Sequence, residues 1–152
     1  MQVSGNGQSN EAARRMINAL TIPAEAYEDK MGETVNLNVK ELKVYVPAED
    51  IALSKQFYSE LGFQLTEAWG GTFDCRLGGA VFRLQNYFVR DWANNMMLQF
   101  DVQDARAWYE HARPIVKGGR YERARISEPE EVGGAIVTHI WDPCGVLLIF
   151  IQ

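Results

Sequence analysis

The stretch Trp141-Asp142-Pro143-Cys144-Gly145-Val146-Leu147-Leu148-Ile149-Phe150 decides the fold. A strand ends in an Asp-Pro-x-Gly turn: proline presets φ, aspartate can hydrogen-bond the backbone just ahead of it, and glycine supplies a conformation other residues resist. An apolar strand, Val146–Ile151, follows at once. Well upstream, Phe57-Tyr58-Ser59-Glu60-Leu61-Gly62-Phe63 has the character of a helix closing on a glycine.

Working outward from these two signals, the element order repeats. A strand (Glu41–Val46) leads into a helix (Ile51–Leu61) and three strands near Phe63–Trp69, Thr72–Leu77 and Ala80–Gln85. After a connection, Asn86–Asn95, the order recurs: a strand (Met96–Val102), a helix (Ala105–Ile115), and strands near Tyr121–Ile126, Ala135–Trp141 and Val146–Ile151. Glycine pairs such as Gly78-Gly79 and Gly133-Gly134 punctuate the units. The reading is α+β: two βαβββ modules, about 39–86 and 95–152, inside a domain spanning 38–152. Residues 1–37 read as an N-terminal helical extension. Ala13, Met16, Ile17 and Leu20 share one helix face, with Ser9 or Asn10 as cap and Thr21-Ile22-Pro23 as break, and a second short helix is expected at Ala24–Met31.

Alternation within the strands assigns their faces. Leu42, Val44 and Val46 oppose Glu41, Lys43 and Tyr45; Phe82 and Leu84 oppose Arg83 and Gln85; Leu98 and Phe100 oppose Met97 and Gln99. Each sheet thus has an apolar face for its helix and a mixed face that lines a pocket if the sheet curls.

Composition restricts the classes. A chain of 152 residues with 47% hydrophobic and 23% charged residues is an ordinary globular one, without an apolar run long enough to span a bilayer. No apolar leader core stands in MQVSGNGQSNEAARR, so a cytoplasmic location is expected. The net charge of −5 argues against nucleic acid as partner. Cys75 and Cys144 belong to no CxxC pair and read as reduced thiols.

Together, the Asp142–Gly145 turn, the Phe57–Phe63 helix end and the duplicated order resemble the vicinal-oxygen-chelate superfamily, the superfamily of glyoxalases, bleomycin-resistance proteins and dioxygenases. The resemblance covers residues from about 39 to the C-terminus. It implies curved mixed sheets around a central cleft, with four metal ligands at fixed places relative to these landmarks. In this chain those places fall on Glu41, Arg83, Met97 and Ile149. Only Glu41 is an ordinary ligand for a hard metal, and a guanidinium repels a divalent ion and has no lone pair to offer. The expectation is therefore the metal-free branch, with no cofactor. Such relatives are typified by bleomycin-resistance proteins, which sequester a ligand in a dimer groove.

The expected function is metal-independent binding of a small organic ligand, aromatic and charged, by a homodimer with no membrane or nucleic-acid partner. A glyoxalase-like lyase or isomerase with an unorthodox site around Glu41, Arg83 and His139 is the enzyme alternative. A ligand-less interaction domain is the third reading. Strand alternation puts Glu41, Arg83, Met97, Gln99, His139 and Ile149 on the cleft face, and Trp69, Phe73 and Trp92 are expected near its mouth. Arg83 has two readings: an anchor for an anionic ligand group, or a salt bridge to Glu41 that fills the vacated metal position. His139 lacks an acid in any sequence relation that would orient it as a base, and His111 reads as a solvated or half-buried helix residue.

Overall fold

Asp50 sets the first helix. Its carboxylate accepts from the amides of Ala52 (2.9 Å) and Leu53 (3.0 Å) and so caps α1, Ile51–Glu60. At the other end Gly62 takes φ 103°, which lets the Phe63 amide reach back to the Tyr58 carbonyl at 2.9 Å and turn the chain into the next strand. The computed structural model describes residues 37–152, and Glu41–Gln152 forms one compact unit. The helices read at Ala13–Leu20 and Ala24–Met31 lie outside the described residues.

Four strands make the first sheet: β1 (Tyr45–Pro47), β2 (Gln64–Glu67), β3 (Phe73–Leu77) and β4 (Ala80–Gln85), in the order β1-β4-β3-β2. The β1–β4 pairing is parallel and the others antiparallel. A short helix, α2 (Arg90–Asn94), lies in the connection. The second module repeats the plan with β5 (Met97–Asp101), α3 (Ala105–Lys117), β6 (Arg125–Ile126), β8 (Ala135–Trp141) and β9 (Leu147–Ile151) in the order β5-β9-β8-β6. An additional strand, β7 (Glu130–Val132), pairs with β8. Asp104 caps α3 by accepting from the Ala107 amide at 2.9 Å, as Asp50 does in the first module. The α+β duplication is therefore present, in two mixed sheets of the same strand order.

Several boundaries differ from the sequence reading, each for a local reason. The first strand starts at Tyr45 rather than Glu41: Tyr45 stands opposite Arg83, and the same parallel register would set Glu41 opposite Gly79, in the β3–β4 turn, where there is no strand to pair with. Tyr121 is not in a strand; its buried ring packs edge-on against Phe57 at 5.1 Å, and the Ala124 amide bonds back to its carbonyl. The extra strand exists because Gly133 and Gly134, both at positive φ, close a two-residue hairpin that folds Glu130–Val132 onto β8.

The core is continuous across both modules. Tyr58, Phe63 and Phe82 meet edge to face, Phe63 touches Phe100, and Phe100, Phe150 and Trp108 stack in sequence. α1 covers one face of the first sheet and α3 one face of the second; Thr138, buried on that side of β8, donates to the Ala105 carbonyl at 2.7 Å. The opposite face of each sheet is left open.

Candidate functional site: the open faces of the two sheets

On the first sheet, Tyr45, Arg83, Asp74 and Thr66 form one row across β1, β4, β3 and β2. Asp74 is the hub. It accepts a two-pronged bond from Arg83, Nε at 2.7 Å and Nη2 at 3.1 Å, and also pairs with Lys43. The Arg83 bond, seconded by Lys43, holds its carboxyl down at about 2 against the opposing effect of burial. Glu41 lies beside Lys43 (3.2 Å) and Arg76 (3.7 Å). This face is a mesh of three cations and two carboxylates.

The second sheet differs in kind. Its open face has three rows: Met97, Leu147, Trp141 and Arg125; then Gln99, Ile149 and His139; then Asp101, Ile151, Val137 and Glu130. The centre is apolar, and Met97 is 63% exposed. His139 Nδ1 stands 3.4 Å from Glu130 Oε1, an orientation supplied by the β7–β8 hairpin. The Arg125 guanidinium lies over the Trp141 ring at 4.7 Å. Where β1 and β4 of one sheet approach β5 of the other, a cavity of about 260 Å³ is lined by Val44, Val81, Met97 and Gln99 among others.

Among the residues singled out from the sequence, Met97, Gln99, His139 and Ile149 come together on one face of the second sheet, and Glu41 and Arg83 in the charged mesh of the first. The acid paired with Arg83 is Asp74, not Glu41, because the β3–β4 hairpin sets Asp74 directly opposite Arg83. Trp69, in the helical turn Trp69–Gly71 after β2, is 75% exposed, and Trp92 on α2 is 68% exposed. Phe73 lies on the other face of its sheet: its ring sits under Lys55 Nζ of α1, 3.8 Å away. His111 lies on α3 with its ring edge-on to Trp108.

Sequence reasoning missed Asp74 and Glu130. Both were reachable, since a two-residue Gly78-Gly79 turn dictates Asp74 opposite Arg83, and Gly133-Gly134 brings Glu130 alongside β8. Cys75 and Cys144 are buried free thiols, and burial pushes both up, Cys75 to about 12.

The metal implied by the superfamily resemblance does not fit these residues. Glu41 is engaged by Lys43 and Arg76, Arg83 is a cation held by Asp74, and Met97 and Ile149 bring no hard donor. Among the described residues no three His, Cys, Asp or Glu side chains are grouped to hold an ion.

Comparison with known proteins places the fold. A bleomycin-binding protein in complex with bleomycin superposes with a TM-score of 0.62 at 20% identity, covering 75% of this chain and 98% of that one. The bleomycin resistance determinant encoded on transposon Tn5 gives 0.61 at 22%, covering 75% and 98%. The bleomycin-binding protein of Streptomyces verticillus, bound to copper(II)-bleomycin, gives 0.61 at 19%, covering 74% and 97%. No protein-family model and no curated protein sequence matches the chain.

Proposed function

We propose that this protein is a metal-independent small-molecule-binding protein of the bleomycin-resistance type, holding an aromatic ligand in a cleft completed by a second copy of the chain. The observation that carries the reading is the open face of the second sheet. Ile149, Leu147, Met97 and Trp141 present an apolar surface flanked by Gln99, His139 and Arg125, the mixture that binds flat organic molecules. An exposed apolar sheet face is costly for an isolated chain. The charged face of the first sheet is its complement: across a two-fold axis, the mesh around Asp74 and Arg83 would add charged contacts to the polar ones of the second sheet. The bleomycin-binding proteins of like fold support binding as the activity class.

The test is calorimetric titration of bleomycin and of planar aromatic cations and carboxylates into wild type and Ile149→Arg, with sedimentation in parallel. Saturable binding to a dimer, lost in Ile149→Arg, is the expected result. A chain that sediments as a monomer, or one that binds none of these compounds, overturns the reading.

A lyase or isomerase centred on Glu41, Arg83 and His139 is the second reading, and one observation favours it: Glu130 beside His139 Nδ1 leaves Nε2 to face a ligand as a base. A turnover assay of wild type and His139→Gln separates the two, since an enzyme turns substrate over and loses that in the variant, whereas a binder leaves its ligand unchanged in both.

A further inference from the structure

At the Arg125 end of the second sheet's open face, a cavity of about 270 Å³ lies between the Asp142–Gly145 turn, the connection carrying α2, and the segment that enters β6. Phe88, Pro143 and Cys144 are among its lining residues, and so are three arginines, Arg90, Arg123 and Arg125. Glu122 is the acid in its lining. In a chain of net charge −5, three arginines at one cavity run against the overall composition.

These arginines are not equivalent. Arg123 pairs with Glu49 and rests over the Phe88 ring at 5.9 Å. Arg125 lies over Trp141 at 4.7 Å, and neither it nor Arg90 has a carboxylate partner among the described residues. A guanidinium held over an aromatic ring has already lost part of its rotamer freedom, while its N–H groups can still bond an oxyanion in pairs. The volume suits a small charged group: drug-sized ligands fill pockets of roughly 300–1,000 Å³.

We propose that this cavity is an oxyanion-binding site, taking the phosphate or carboxylate group of a small molecule through Arg90, Arg123 and Arg125. It adjoins the apolar face of the second sheet at Arg125 but does not rest on the ligand assignment made there, since neither Ile149 nor His139 lines it. Arg125 is shared: it lies over Trp141 at the edge of that face and also lines this cavity.

The experiment is calorimetric titration of pyrophosphate and, separately, malonate, which has no ring for the apolar face to hold, into the full chain at constant ionic strength set with chloride. The proteins are wild type, Arg90→Gln, Arg90→Gln/Arg125→Gln and Arg106→Gln. One of the anions should bind saturably at one site per chain, and the double variant should weaken it by at least about tenfold. Which anion binds identifies the source as phosphate-like or carboxylate-like. Arg90 is exposed and has no carboxylate partner among the described residues, so Arg90→Gln keeps the fold and should itself weaken binding measurably, which covers the case of a double variant that fails to fold. Arg106→Gln, an exposed position of α3 outside this lining, should bind like wild type. No saturable heat from either anion, equal affinity in wild type and Arg90→Gln, or an equal loss in Arg106→Gln would each overturn the assignment. Loss of aromatic-ligand binding in Ile149→Arg with pyrophosphate binding intact would show that the two sites fail separately.

Discussion

The phenol of Tyr58, on α1, donates to Oδ2 of Asp142, in the turn before β9, at 2.8 Å, and both residues are fully buried. The other carboxylate oxygen accepts from the amides of Cys144 (2.8 Å) and Val146 (2.9 Å). One side chain thus closes the second module's turn and ties it to the first module's helix. Asp142→Ala strands three buried donors, each costing about 1–3 kcal/mol. A loss of at least about 3 kcal/mol is expected in urea unfolding followed by circular dichroism. Asp142→Asn, which keeps an acceptor for both amides, should cost clearly less. A change under about 1 kcal/mol in the alanine variant would show that the turn closes without the carboxylate.

Burial drives the Asp142 carboxyl up to about 6, with the Tyr58 and backbone bonds opposing it. An acid whose folded value lies above its unfolded 3.8 takes up protons on folding. Its contribution to stability is complete below about pH 4 and is lost as pH rises through 6. The full span is at most about 3 kcal/mol. Asp74, held down at about 2, acts in the opposite direction: its contribution is present above about pH 4 and disappears as pH falls toward 2. Stability measured from pH 4 to 7 in wild type minus that in Asp142→Asn should therefore fall with increasing pH. A flat difference would place the Asp142 value near that of an exposed carboxyl.

The duplicated architecture was legible because it rests on local signals. Asp50 and Asp104 cap the two helices, Gly62 ends the first, and alternation sorts strand faces, with Leu98 and Phe100 half-buried on the helix side and Met97 exposed on the other. What escaped depends on register between strands. Arg83 has Asp74 as its partner rather than Glu41 because one hairpin turn slides β3 along β4. Phe73 was expected near a cleft mouth, but its alternation with Asp74 sends it to the helix side once Asp74 is fixed inward. The α2 helix had no periodic stripe to reveal it, since a helix of five residues is shorter than two turns.

Because Asp74 occupies the guanidinium of Arg83, this arginine is a poor carboxylate anchor in wild type and a better one without its partner. Asp74→Asn should raise affinity for benzoate at the first sheet, and adding Arg83→Ala should remove the gain. Thermal-shift titration of wild type, the single variant and the double variant reads this directly. If wild type binds benzoate strongly and Arg83→Ala alone abolishes it, the ligand displaces Asp74 and Arg83 is an anchor after all.

Gly145 closes the turn at φ 99°, a conformation that L residues resist, and a Cβ added there would stand 2.5 Å from Asn94 Oδ1. Two separable penalties follow. Backbone strain costs about 1–3 kcal/mol wherever it is placed, whereas the contact with Asn94 can be relieved because it involves a side-chain end. Gly145→Ala should therefore lose about 2–3 kcal/mol, and Asn94→Ala in that background should restore only the steric part. A double-mutant cycle by chemical denaturation, with Asn94→Ala as the fourth corner, measures the split. Additive effects in that cycle would mean that Asn94 moves aside freely and that the whole cost of the alanine lies in the backbone of the turn.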